Sequence, residues 1–97
     1  MEKEIITVIC DYLKEELPQF NIVTINFGTL EKPKKPIFYI VIRKTYQHEV
    51  ILEIINECII KASSYYNNSG YSPAGCFEIC DPDLLLKIKD MIIKKIQ

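Results

Sequence analysis

Glycine is scarce in this chain, and Gly28, Gly70 and Gly75 stand alone. A Walker-type phosphate loop, a G-x-G-x-x-G dinucleotide turn and a G-x-S-x-G nucleophile elbow all need glycines at fixed spacing, so all three are excluded. Histidine is scarcer still. His48 is the single one, which rules out a histidine-rich metal site and leaves any base-activated nucleophile dependent on that residue. No apolar run approaches the about 20 residues that a membrane-spanning helix needs. Met1-Glu2-Lys3-Glu4 lacks the basic start and small-residue cleavage site of a signal peptide. A cytoplasmic, reducing setting is therefore expected, and there the glycosylation sequon Asn67-Asn68-Ser69 carries no meaning.

An excess of one charge is also missing. Twelve basic residues face thirteen acidic ones, for a formal charge of -1, which removes any whole-molecule attraction to nucleic acid or to an anionic membrane. Arg43 is the only arginine in a composition rich in lysine and isoleucine, a bias of AT-rich coding sequence that says nothing about activity. The 97 residues match one domain, residues 1–97. A chain of that size buries roughly 60 to 70% of its unfolded surface, enough for one core without staples.

What is present is organised around Pro36-Ile37-Phe38-Tyr39-Ile40-Val41-Ile42-Arg43, apolar at odd and even positions alike. The run is β-branched and aromatic, and too short for a buried helix, so it reads as an interior strand. Phe38, Ile40 and Ile42 then point one way, and Ile37, Tyr39 and Val41 the other. Before it, residues 4–17 carry Ile5, Ile6, Ile9, Tyr12, Leu13 and Leu17 at helical spacing, and Pro18 ends that helix. Residues 20–27 switch to period two, which puts Val23, Ile25 and Phe27 on the core and Thr24 and Asn26 away from it. The short lysine-rich connection 28–35 implies an antiparallel return.

After it, Thr45 reads as an N-cap, followed by Val50, Ile51, Ile54, Ile55, Cys58, Ile59 and Ala62 on one face of a helix that reaches about residue 65. Asn67-Asn68-Ser69-Gly70 stops it, a loop runs to Gly75, and Cys76-Phe77-Glu78-Ile79-Cys80 forms a short strand. Asp81-Pro82-Asp83 opens the last helix, with Leu85, Ile88, Met91, Ile92 and Ile96 as its core face. The order αββαβα implies an α+β domain. Its expected sheet is three-stranded and mixed, with the second strand central, a parallel crossover through the middle helix and the helices packed mainly on one face. The other face would display Thr24, Asn26, Tyr39, Val41, Cys76, Glu78 and Cys80.

Four groups of residues could carry chemistry. Cys76 and Cys80 are four apart in an extended strand, about 13 Å, too far for a disulfide or a shared zinc. Cys10 and Cys58 fall on or beside helical apolar faces, so structural thiols are expected and no metal. His48 reads as a surface or capping residue. Glu49, Glu53 and Glu57 form an acidic stripe, a solvated helix face or a surface for a basic partner centred on Glu53 and Glu57. Lys32, Lys34 and Lys35 concentrate positive charge at one loop, where they guard an edge or contact phosphate together with Arg43 and Lys44. Tyr65, Tyr66 and Tyr71 cluster around the loop 67–75, which is long for a helix-to-strand connection, and tyrosine supplies contact area with few rotors to freeze.

These features lead to the expectation of a small non-catalytic protein–protein interaction module without cofactor. An inhibitor, adaptor or immunity-type protein would fit, and self-association into a homodimer is one version of it. The contact residues would be Tyr39 and Val41 on the open sheet face, Tyr65, Tyr66 and Tyr71 beside the loop, or Glu53 and Glu57. A nucleic-acid-binding domain using Lys32, Lys34, Lys35, Arg43 and Lys44 is the alternative. A small cysteine-dependent enzyme is the third reading.

Overall fold

The computed structural model describes residues 2–27, 37–45, 47–55, 58–67 and 70–96. The chain runs α1 (Glu2–Glu16), β1 (Asn21–Phe27), β2 (Ile37–Thr45), β3 (His48–Ile54), β4 (Ile59–Tyr66), β5 (Tyr71–Glu78) and α2 (Leu84–Ile96). The strands form one sheet in the order β1-β2-β3-β4-β5, and every neighbouring pair is antiparallel. The class is α+β. The three-stranded mixed sheet is corrected to a five-stranded antiparallel one, the order to αβββββα, and the central strand from β2 to β3. No parallel crossover exists among the described strands.

The correction comes from residues 45–65, where a β-hairpin stands in place of a helix. Apolar residues at 50, 51, 54, 55, 58, 59 and 62 satisfy helical spacing, but that face leaves out Leu52 and Ile60. In the hairpin both are buried, Leu52 to 1% exposure, beside Val50, Ile54 and Ala62 on the same side, whereas Ile55 is 52% exposed. The stretch is dense in valine and isoleucine, whose stiff χ1 favours a pleated surface over a helix. Thr45 does make the bond expected of a cap, but across the tight turn between β2 and β3, where its Oγ1 accepts the Gln47 N–H at 3.3 Å. The Ile55 N–H donates to the Ile59 carbonyl at 3.1 Å and closes the β3–β4 hairpin. Asn67 and Gly70, both at positive φ (51° and 76°), turn the chain from β4 into β5, so residues 71–75 belong to a strand and the expected nine-residue loop is a hairpin turn.

Both helices pack on one side of the sheet. Ile6, Ile9, Cys10, Leu13 and Leu17 of the N-terminal segment and Leu84, Ile88, Met91, Ile92 and Ile96 of α2 form a single cluster with Ile22, Ile40, Ile42, Val50, Leu52, Ile54, Ile60 and Ala62. Among the strand residues of that cluster the numbers are all even, as one face of a pleated sheet requires. In β1 the phase is the reverse of the expected one: Ile22 is buried in the core, while Val23 and Ile25 lie on the opposite face and Thr24 sits beside Ile40 on the helix side. A radius of gyration of 13.1 Å and a smallest extent of 21 Å describe a two-layer domain of ordinary compactness for its length. No helix among the described residues is long and apolar enough to cross a membrane.

The start of α2 follows the expected chemistry, two residues later than the sequence signal. The Asp81 carboxylate accepts the Asp83 N–H at 2.8 Å and also binds the Lys87 ammonium, and Lys87 N–H donates to the Asp83 carbonyl at 2.9 Å as the first α-helical bond. The Lys87 ammonium, then the Asp83 N–H, hold the Asp81 carboxyl below the usual carboxylate range, and the same contact pushes the Lys87 ammonium up. A depressed carboxyl pKa contributes stability above its unfolded value that is lost as pH falls through the folded one.

Two outcomes follow. Leu52→Ala costs about 2–4 kcal/mol in urea unfolding whereas Ile55→Ala stays within about 0.5 kcal/mol, the ranking of a strand and the opposite of the helical alternative. Asp81→Asn keeps the acceptor that caps the helix but loses the charge pair, so melting temperature measured from about pH 6 down to about pH 2 declines less steeply than in the parent.

Candidate docking face

The odd-numbered strand residues from β1 to β4 form the face that the helices leave bare, and the strand register aligns them in three rows. The middle row is Val23, Val41, Ile51, Ser63 and Pro73. On one side runs Asn21, Arg43, Glu49, Tyr65 and Tyr71, and on the other Ile25, Tyr39, Glu53, Lys61 and Cys76. Val23 is 43% and Ile25 36% exposed, Ile51 and Tyr39 are half-buried, and Val41 is only 5% exposed although it takes no part in the helix-side cluster. Exposed and half-buried apolar residues thus adjoin one another across β1, β2 and β3.

One ion pair is set into this surface. Glu49 is only 7% exposed, and its Oε2 accepts hydrogen bonds from Nε and Nη2 of Arg43, directly across the β2–β3 ladder, at 3.3 and 3.2 Å. The guanidinium side of the pair stays partly in water, with 41% of the arginine side chain exposed. Tyr65 and Tyr71 face each other across β4–β5 with ring centroids 5.1 Å apart and planes at 45°. Partial burial first, then the Glu49 carboxylate and Tyr65, push the Tyr71 phenol above its ordinary value, so it stays a neutral donor at physiological pH.

Residues that the sequence reading assigned to three separate surfaces therefore meet on one. Tyr39 and Val41 of the sheet, Tyr65 and Tyr71 of the tyrosine cluster and Glu53 of the acidic stripe all lie on the bare face. Tyr66 does not. It points to the helix side, edge-on to His48 with centroids 4.7 Å apart. The His48 Nε2–H donates to the Lys95 carbonyl at 2.9 Å, which ties the start of β3 to the last turn of α2 and gives the lone histidine a structural role. Glu57, Lys32, Lys34 and Lys35 lie outside the described residues. Arg43 is committed to Glu49, and Lys44 is exposed beside a shallow hollow of about 400 Å³ lined by Asn21, Arg43 and Thr45.

Cys10 is buried, where burial pushes its thiol up. Cys58 is exposed by the β3–β4 turn and not on a helix face, and Cys76 and Cys80 are exposed as well; none of the four is in a disulfide. No group of three metal-ligating side chains occurs among the described residues. Val23 and Ile25, at the β1 edge of the face, and Ile51, on its central strand, escaped the sequence reading. The available signal was the period-two burial of Val50, Leu52 and Ile54, which forces Ile51 to the other side.

No protein-family model, no curated protein and no solved structure matches the chain. What the face can do is set by its own geometry: an apolar strip, aromatic rings at one end and a neutralised ion pair inside it.

Removing one partner of that pair strands a buried carboxylate. Arg43→Ala costs about 1–3 kcal/mol, discounted for the arginine's exposure, and adding Glu49→Leu in the same chain recovers most of it, as read from urea unfolding midpoints.

Proposed function

We propose that this chain is a small non-catalytic interaction module that docks another protein on the helix-free face of its sheet, in the manner of an inhibitor, adaptor or immunity-type protein of the cytoplasm. The observation that carries this reading is the run of apolar residues from exposed Val23 and Ile25 through half-buried Tyr39 and buried Val41 to half-buried Ile51, on a face that no described helix covers. Contiguous apolar surface of this kind is uncommon on monomers unless something binds it.

The layout supports protein docking over a small-molecule site. Five strands about 4.8 Å apart and seven residues about 3.4 Å each span roughly 24 by 24 Å. That outline, roughly 580 Å², is smaller than but of the same order as the about 800 Å² that one partner contributes to a standard interface. The centre is apolar, Tyr39, Tyr65 and Tyr71 supply the aromatic contacts that anchor interfaces, and Glu53 and Lys61 sit opposite each other towards the rim.

The test is photo-crosslinking in the cells that make the protein, with benzoylphenylalanine in place of Tyr39 or Tyr71 and, as control, in place of Glu15 on the outer side of α1. Adducts of one common mass are expected at the first two positions and none at the third. Ser63→Arg, which puts bulk and charge into the middle row without touching the core, abolishes them. Adducts equally strong at Glu15, or unaffected by Ser63→Arg, would remove the face from consideration.

A further inference from the structure

β1 reads Asn-Ile-Val-Thr-Ile-Asn-Phe and contains neither a charged residue nor a proline. Every other strand has at least one: Arg43 and Lys44 in β2, Glu49 and Glu53 in β3, Lys61 in β4, Pro73 and Glu78 in β5. Yet β1 is an edge strand, with β2 on one side and no strand on the other among the described residues. Charges and prolines normally guard sheet edges, because an edge presents unpaired N–H and C=O groups to any other strand. Here the interior strands carry the charge and the edge carries none.

We propose that two copies of this chain pair antiparallel along β1, about a twofold axis that passes between Thr24 and Thr24 of the partner subunit. Three features choose a second copy as the occupant. The centre of the strand pairs like with like: a register centred on Thr24 sets Val23 against Ile25 of the partner subunit, and the reverse, on the helix-free face, with threonine against threonine on the helix side, while the outer pairs set Ile22 against Asn26 of the partner subunit and Asn21 against Phe27 of the partner subunit. It is electrically neutral, so self-pairing brings no like charges together, whereas nothing along it would select a charged foreign strand. Third, the opposite edge is unfit: β5 contains Pro73 and a register irregularity opposite Ala62 and Ser63, so only one edge pairs and the assembly closes as a dimer without running on into a fibre.

The product is one ten-stranded sheet with all four helices on the same side, since a twofold axis between antiparallel strands stands perpendicular to the sheet. The apolar row Ile51–Val41–Val23 then runs on into Ile25 and Tyr39 of the partner subunit. This pairing uses the backbone of β1 and not the helix-free face, and so stands apart from docking of a different protein there.

Sedimentation equilibrium over a range of concentrations is expected to show mass rising towards twice that of the chain. Thr24→Lys, at an exposed position, puts two ammonium groups opposite each other at the axis and raises the dissociation constant by about tenfold or more, while Ser72→Lys on β5 leaves it unchanged. In a chain with Cys58, Cys76 and Cys80 replaced by serine, Thr24→Cys forms an intersubunit disulfide on mild oxidation, because residues directly opposite lie about 4.5–5.5 Å apart at Cα. Asn21→Cys does not, its two copies being about 20 Å apart in this register. A single chain mass at every concentration, a Thr24→Lys dimer as tight as the parent, or Asn21→Cys crosslinking as fast as Thr24→Cys would each overturn the pairing.

Discussion

Both helices bury their apolar stripes on the same side of one sheet, and this decides the surroundings of almost every other residue. Ile40, Ile42, Val50, Leu52, Ile60 and Ala62 are nearly inaccessible because they alternate onto the side that α1 and α2 cover. Their immediate neighbours in sequence, Tyr39, Val41, Ile51 and Lys61, are thereby delivered to the bare side whatever their chemistry. A one-residue slip of a strand would exchange its two sets, and a slip of β3 would place Glu49 and Glu53 under the helices, a cost large enough to hold the register. The composition of the outer face is thus a by-product of core alternation that selection can tune residue by residue without disturbing the core.

That linkage explains what could be read in the sequence and what could not. α1 and α2 are legible because most of their apolar positions recur at helical spacing, with Val8 and Leu86 as exposed exceptions, and β2 because a β-branched run closed by Pro36 fits no helix. The hairpin of β3 and β4 is not legible in the same way. Glu49 and Glu53 are four apart, and four residues return to the same face in a helix and in a strand alike, so the acidic stripe is consistent with both. Isoleucine and valine at both parities leave the helical pattern intact as well. What separates the two is Leu52 and Ile60, which a helix built on Val50, Ile51, Ile54 and Ile55 leaves outside its apolar face and the strands bury; two residues carry little weight against seven matching positions. In β1 the ambiguity is complete, since Ile22 on one side balances Val23 and Ile25 on the other, and only packing against Ile42 resolves it. The candidate face was legible in fragments, Tyr39 and Val41 from one strand and Tyr71 from a turn. Their union depends on a register that no local pattern encodes.

The Arg43–Glu49 pair shows how a face without helices can still be partly dry. Glu49 is nearly inaccessible to water although no described helix covers it, and a carboxylate in that position is tolerable only because two guanidinium hydrogen bonds reach one of its oxygens. The desolvation cost is therefore already met in the free protein. Anything that covers this face removes water mainly from the arginine side and orphans no charge, so the pair does not oppose docking as an unpartnered glutamate would.

Charge on the interior strands and neutrality at the edge act on different degrees of freedom. β2, β3 and β4 have neighbours on both sides, so Arg43, Glu49, Glu53 and Lys61 cannot influence strand addition; they act only outward, where they frame the apolar middle row. Among the described residues β1 has no neighbour on its outer side, and there the identity of Val23, Thr24 and Ile25 decides whether another strand can approach. A charge at Thr24 would alter the edge and leave the middle row as it is, and a bulky residue at Ser63 would do the converse. Face and edge are therefore separable surfaces of one sheet, built on the same core alternation and open to change one at a time.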